Sequence, residues 1–176
     1  AEGEHDMNRA LDGLGEVFHT QDTLFKYHPA CYGVHAPTEA ALRVQVEEAF
    51  EPSRIEKIEI SVPENCIGMC DIAEPQTGLE AKFSLTHNVA LGLLGKADGS
   101  LSLYQDETFE MADVAALRGK TSVVGRADFS AFYSEVVVHQ SDGQVIKQTF
   151  DISTPMSDLS EQEAKLTKKF RALATP

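Results

Sequence analysis

Lys26, His28, Cys31 and His35 fall within one ten-residue stretch, KYHPACYGVH, at residues 26–35. Three kinds of chemistry fit these side chains. Cys31 and His35, spaced C-x3-H, together with Cys66 and Cys70, spaced C-x3-C, could supply a tetrahedral zinc set. The spacing is wider than the usual C-x2-C knuckle, and the alternative reading makes Cys66 and Cys70 small buried hydrophobes beside Ile67 and Met69. A thiolate nucleophile with its base needs Cys31 and His35 one helical turn apart. No orienting third group is evident for that pair, and no G-x-S-x-G elbow occurs. The third chemistry is proton transfer beside a carboxylate. Lys26 would hold the carboxylate as a point charge, and His35 would move a proton near neutral pH. The developing enolate charge needs cations nearby. The competing readings are that Lys26 is a solvated charge and His28 a surface residue.

These groups depend on the elements that carry them. DTLFKYH reads as an extended segment, because Pro29 disfavours helix just before it. HAPTEAALRVQVEEAF reads as a helix with Pro37 in its first turn and Leu42, Val46, Ala49 and Phe50 on its apolar face. In IEKIEISVPE, Ile58, Ile60 and Val62 alternate as in a half-buried strand. SLTHNVALGLLG reads as an apolar helix with Ser84 as cap and Gly95 as stop. MADVAALRG predicts a short helix and KTSVVGR a strand. SEVVVHQSDGQVIKQTF predicts a hairpin turning at Asp142-Gly143. Asp6 is placed to cap an opening helix with Met7, Leu11, Leu14 and Phe18 on one stripe, weakened by Gly13 and Gly15. Ser160 and Glu163 fit a capping box for a last helix with Leu166, Phe170 and Leu173 on one face. Helices with hairpin strands and no βαβ regularity predict an α+β fold, antiparallel strands with helices packed on one side.

Composition bounds the partners. The 176 residues suffice for one domain, and 42% are apolar, as in a globular chain. With 28 acids against 15 bases the net charge is −13, which argues against nucleic acid and anionic membrane surfaces. No apolar run approaches the roughly 20 residues of a membrane span. The first residues, AEGEHDMNRA, carry no signal-peptide core. Three cysteines form no disulfide framework, so a reducing cytoplasm is the expected compartment. Neither G-x-x-x-x-G-K-[ST] nor G-x-G-x-x-G is present.

Several segments carry a family resemblance, in order along most of the chain. KYHPACYGVHAPTEAAL resembles the K-x-[YF]-P-x-C-x-x-x-H-x-x-x-x-A-[AL] segment of the MmgE/PrpD family, with His28 at the usual aromatic position before the proline. IEKIEISVPE resembles the strand that follows it there. EPQTGLEAKFSLTHNVALGLL resembles the A-K-F-S-L-P-Y segment, with Thr86-His87 in place of Pro-Tyr. TPMSDLSEQEAKLTKKFRAL resembles the family's ending, without its glycine and proline.

That resemblance implies an enzyme acting on small di- or tricarboxylic acids by proton transfer or decarboxylation, as in 2-methylcitrate dehydratase, cis-aconitate decarboxylase and iminodisuccinate epimerase. It implies no cofactor and no required metal. Cys31 and His35 would be catalytic, and Lys26, Lys82 and His87 substrate-binding. Some members carry a histidine where Cys31 stands. The chain resembles the smaller α+β lid domain alone: an opening helix over 1–22, a lid core over 23–155 and a return helix over 156–176. The helical N-terminal domain with most of the acid–base groups is expected to be absent, which leaves the isolated chain inactive. A homo-oligomer is expected, with the terminal apolar stripes at its interface. The competing functions are a non-catalytic lid-fold module for dimerisation or regulation, and a zinc-binding domain.

Overall fold

The structure is a computed structural model describing residues 6, 9, 11–18, 20, 23–47, 49–107 and 109–174. Its centre is β1 (Ile55–Pro63), where Ile58, Ile60 and Val62 alternate into the core and are fully buried. β3 (Tyr133–Gln140) lies antiparallel to β1, pairing Val136 with Ile60, and turns into antiparallel β4 (Val145–Asp151). The turn is the predicted one. Gly143 takes φ 84°, and the Asp142 side chain accepts the Gln144 amide at 3.0 Å. β2 (Thr121–Arg126) completes the order β2-β1-β3-β4, running parallel to β1. The α+β class therefore holds, with one parallel pairing that simple alternation did not reveal. The connection between β1 and β2 carries three helices, and a crossover of that length is what lets consecutive strands run parallel.

Those helices begin with α2 (Gly78–Ala81), set beyond α1 (His35–Gln45) in the chain, and continue with α3 (Leu85–Leu93) and α4 (Ala112–Arg118). α3 is buried along its whole length. Ser84 Oγ caps it, accepting the His87 amide at 3.2 Å, and Gly95 leaves it at φ 67°. α1 buries Ala36, Ala40, Ala41 and Val44 rather than the larger Leu42 and Val46, and it meets α3 at Thr38 and Ala41. The reason is distance. A Cβ on Gly92 would lie 2.8 Å from the Ala41 Cβ and 3.0 Å from the Thr38 carbonyl oxygen. Only small side chains fit so close a crossing. Val46 is left exposed beyond the end of α1, and Phe50 is half-buried against the core.

Two further expectations shift. The last helix, α5 (Leu159–Ala174), is capped by Asp158, whose Oδ1 accepts the Ser160 and Glu161 amides at 2.9 and 3.1 Å, so the capping side chain lies two residues before Ser160. Leu166 is half-buried on α5, whereas Phe170 and Leu173 are exposed. At the N-terminal end Asp6 does accept the Arg9 amide, at 3.2 Å. Residues 12–16 then form turns, with Gly13 at φ 72° and Gly15 at φ 85°, and Leu11, Leu14 and Phe18 are exposed. Met7 lies outside the described residues.

Gly92→Ala tests the helix crossing. Alanine favours an isolated helix by about 1 kcal/mol, but overpacking a close contact costs about 1–3 kcal/mol. The expected result in urea unfolding is a net loss of stability; a gain would mean that α1 and α3 have room to spare.

Candidate functional site

The segment that carries the reactive side chains is a closed bend. Residues 28–30 turn, a single 3-10 turn spans Tyr32–Val34, and α1 starts at His35. His35 holds this bend with both ring nitrogens. The His28 amide donates to His35 Nε2 at 3.3 Å, so Nε2 is an acceptor and the ring proton sits on Nδ1. Nδ1–H then donates to the Cys31 carbonyl at 2.9 Å. One turn along α1, Glu39 Oε1 accepts from His28 Nε2 at 2.9 Å. Glu39 Oε2 is 3.3 Å from the Lys165 ammonium on α5, which also lies 3.4 Å from Glu161 and 5.3 Å over the Tyr27 ring. A buried chain of polar groups thus links the bend, α1 and α5.

Electrostatics follow from that packing. Burial pulls the His35 pKa down to about 4, helped by the neighbouring His28 and opposed by the Cys31 carbonyl, so the ring is neutral at pH 7. Burial pushes the Glu39 carboxyl up, but the His28 hydrogen bond and charge, with Lys165, outweigh it and hold the group below the usual carboxylate range. Tyr27 is raised, chiefly by burial.

Beside this network is a cavity of about 550 Å³. Tyr27, Tyr32, His35, Glu39, Arg43 and Lys165 supply its polar groups and aromatic walls. Leu42 and Val46, the residues that turn away from α3, also line it. Arg43 stacks 4.5 Å over the Phe150 ring and donates to the Thr149 carbonyl at 3.1 Å.

Of the five residues singled out in the sequence, only His35 lines this cavity. Both of its nitrogens are engaged and its pKa is drawn down to about 4, an arrangement that suits a positioning part. Cys31 is partly exposed, and its amide donates to the Lys82 carbonyl at 3.0 Å. Its thiol lies 3.4 Å from that of Cys70. Lys26 is exposed. Lys82 is half-buried, with its ammonium 6.0 Å from the Tyr104 ring centroid. His87 lies in α3, fully buried against Tyr104 and Phe109. Its Nδ1 accepts from Arg118 at 3.3 Å, and Arg118 is paired with both Glu110 oxygens at 3.0 Å. His87 Nε2 is buried without a hydrogen-bond partner among the described residues. Burial and the Arg118 charge pull its pKa to about 4 as well.

The sequence reading missed Glu39 and Lys165, and the competing reading of His28 as a surface residue does not hold, since it is buried. Glu39 sits four residues after His35 within one helix, which was the available signal; Lys165 carried none, since nothing local says which distant side chain it meets. Among the described residues no group of three or more His, Cys, Asp or Glu is arranged to hold a metal ion. The suggested zinc set fails at His35, whose ring is turned to the His28 amide and the Cys31 carbonyl.

The profile of the MmgE/PrpD C-terminal domain matches residues 28–176. The chain belongs to the MmgE/PrpD family. The match opens at His28 and runs through the bend, the sheet and α5, so the MmgE/PrpD domain includes every element of the polar network. Among curated proteins no sequence matches this one. No helix among the described residues is long and apolar enough to cross a membrane.

The two depressed histidines set a pH dependence. Unfolded, each titrates near 6.5; folded, near 4. The unfolded chain therefore binds more protons between these values, and stability rises with pH through that window and is complete above it. Protonating each buried ring at low pH costs up to about 3 kcal/mol of stability, a cost absent at neutral pH. Glu39 adds stability in the same sense, lost as pH falls below the usual carboxylate range. Unfolding free energy measured from about pH 7 to 4.5 should fall steeply, and His35→Gln or His87→Gln should flatten the slope. Stability that stays level over that range would contradict the burial of neutral imidazoles.

Proposed function

We propose that this chain forms the lid wall of a lyase or isomerase that acts on a small di- or tricarboxylic acid by proton transfer or decarboxylation beside a carboxylate. The observation that carries this reading is the pinned bend in an MmgE/PrpD domain: it holds partly exposed Cys31 on a fixed backbone, with exposed Lys26 five residues before it in the sequence. Lys26 binds a substrate carboxylate and offsets charge that develops on the adjacent carbon. Cys31 takes the acid–base part, and His35 fixes its position through the carbonyl bond. Lys82 extends the same substrate surface with its ammonium, whereas His87, fully buried in α3, is not exposed to a ligand in this chain. The groups that face them belong to the family's helical domain, and this chain is inactive by itself. No cofactor takes part, and the compartment is the cytoplasm.

The test has two halves. The chain alone should not turn over 2-methylcitrate, cis-aconitate or iminodisuccinate. Joined to a helical domain of the same family, it should turn over one of them, and Lys26→Ala or Cys31→Ser should each lower kcat by about a hundredfold or more. Turnover by the chain alone would show a self-contained site, and full activity in both variants would remove them from the chemistry.

A second reading is an interaction module that dimerises. It is favoured by Phe170 and Leu173, which α5 leaves exposed. Each such side chain forgoes roughly 1.5–3 kcal/mol of burial. Sedimentation should then show a homo-oligomer that Phe170→Ser with Leu173→Ser shifts towards monomer. A clean monomer at high concentration would refute it.

A further inference from the structure

The bend carries a second arrangement that proton transfer does not use. Cys31 and Cys70 bring their sulfurs to 3.4 Å although they are 39 residues apart in sequence. Their backbones are fixed to one strip of chain. The Cys31 amide donates to the Lys82 carbonyl at 3.0 Å, and the Leu85 amide donates to the Cys70 carbonyl at 2.8 Å. Only Phe83 and Ser84 lie between these two anchors, so the backbones of Cys31 and Cys70 are held close to each other. Gly33 leaves the space. A Cβ there would lie 3.0 Å from the Cys70 sulfur and 3.5 Å from that of Cys66. Cys31 is partly exposed, whereas Cys66 and Cys70 are buried.

We propose that Cys31 and Cys70 form a reversible disulfide when the protein meets a peroxide. Cys31 gives up its thiol proton and its sulfur attacks a peroxide oxygen; the O–O bond breaks, Cys31 becomes a sulfenic acid, and the hydroxide that leaves takes that proton and becomes water. The Cys70 sulfur then attacks the Cys31 sulfur. Hydroxide leaves, takes the Cys70 proton, and departs as a second water. Two thiols and one hydrogen peroxide thus give one disulfide and two waters. Exposure sets the order of events, since the oxidant reaches Cys31 first. Cys70 is buried, so peroxide does not reach it first, and its sulfur, 3.4 Å from that of Cys31, is placed to act as the resolving partner. Cys66, although it neighbours the same glycine, is not consumed.

The bond would tie residues 26–35 to the loop that carries Cys70 and take the Cys31 thiol out of use. That consequence for catalysis rests on the proposed function; formation of the bond does not. The whole chain is therefore treated with hydrogen peroxide, and its thiols are counted after denaturation. The count should fall from three to one and return to three with dithiothreitol. Peptide mapping by mass should show Cys31 joined to Cys70 with two hydrogens lost, in the unaltered protein and in Cys66→Ser. Cys31→Ser and Cys70→Ser should form no internal cross-link. A cross-link that includes Cys66, a Cys31 carried on to sulfinic acid with Cys70 still free, or three thiols that survive peroxide would each overturn the proposal. The map of the unaltered protein decides even if a serine variant fails to fold. Because the readout is mass and not turnover, failure here leaves the catalytic reading to its own test.

Discussion

His35 takes the His28 amide on one ring nitrogen and gives its proton to the Cys31 carbonyl with the other, and these two bonds close the bend that the rest of the site is built on. They work only with a neutral imidazole of one tautomer. A second ring proton would put an N–H against the His28 N–H, and the opposite tautomer would do the same while leaving the Cys31 carbonyl without its donor. Burial enforces the neutral form, since an isolated charge at this position would lose its hydration. From the bend the constraint spreads outward. His28 reaches Glu39 on α1, and Glu39 reaches Lys165 on α5, so the placement of the last helix is coupled to the geometry of residues 26–35. Breaking one member leaves a buried polar group without a partner, which costs more than an intact surface pair contributes.

The second dependence is packing. α1 can present His35 and Glu39 towards the cavity only because its opposite side is small enough to lie close on α3. Ala41 and the Thr38 backbone meet Gly92 there, and the larger Leu42 and Val46 face the other way, into the cavity wall. α3 is itself held between α1 and α4, and its Ser84 cap follows directly on the strip of chain that anchors Cys31 and Cys70. Fold and site are therefore not separable layers.

The sequence revealed the elements better than their partners. Strict alternation at Ile58, Ile60 and Val62, the Asp142-Gly143 turn and the Ser84 cap are local signals, and each element stands where those residues put it. The direction of β2 was not legible, because pairing direction depends on how the intervening helices cross and not on any pattern within KTSVVGR. The apolar face of α1 was misjudged for a related reason. Leucine and valine look like core residues until a close neighbour selects alanine. Likewise the site's residue types were visible in KYHPACYGVH, but their states were not. Whether His35 moves protons or holds a backbone depends on a burial that only the folded chain defines, and Lys165 joins the network from 126 residues away from Glu39.

The account turns on the state of one ring, which nitrogen-15 NMR of the histidine side chains reads directly. At pH 7 His35 should be a neutral imidazole with its proton on Nδ1, and it should take up a second proton only near pH 4. An imidazolium at neutral pH, or a ring protonated on Nε2, would contradict the bend described here and would return His35 to the role of a mobile proton carrier.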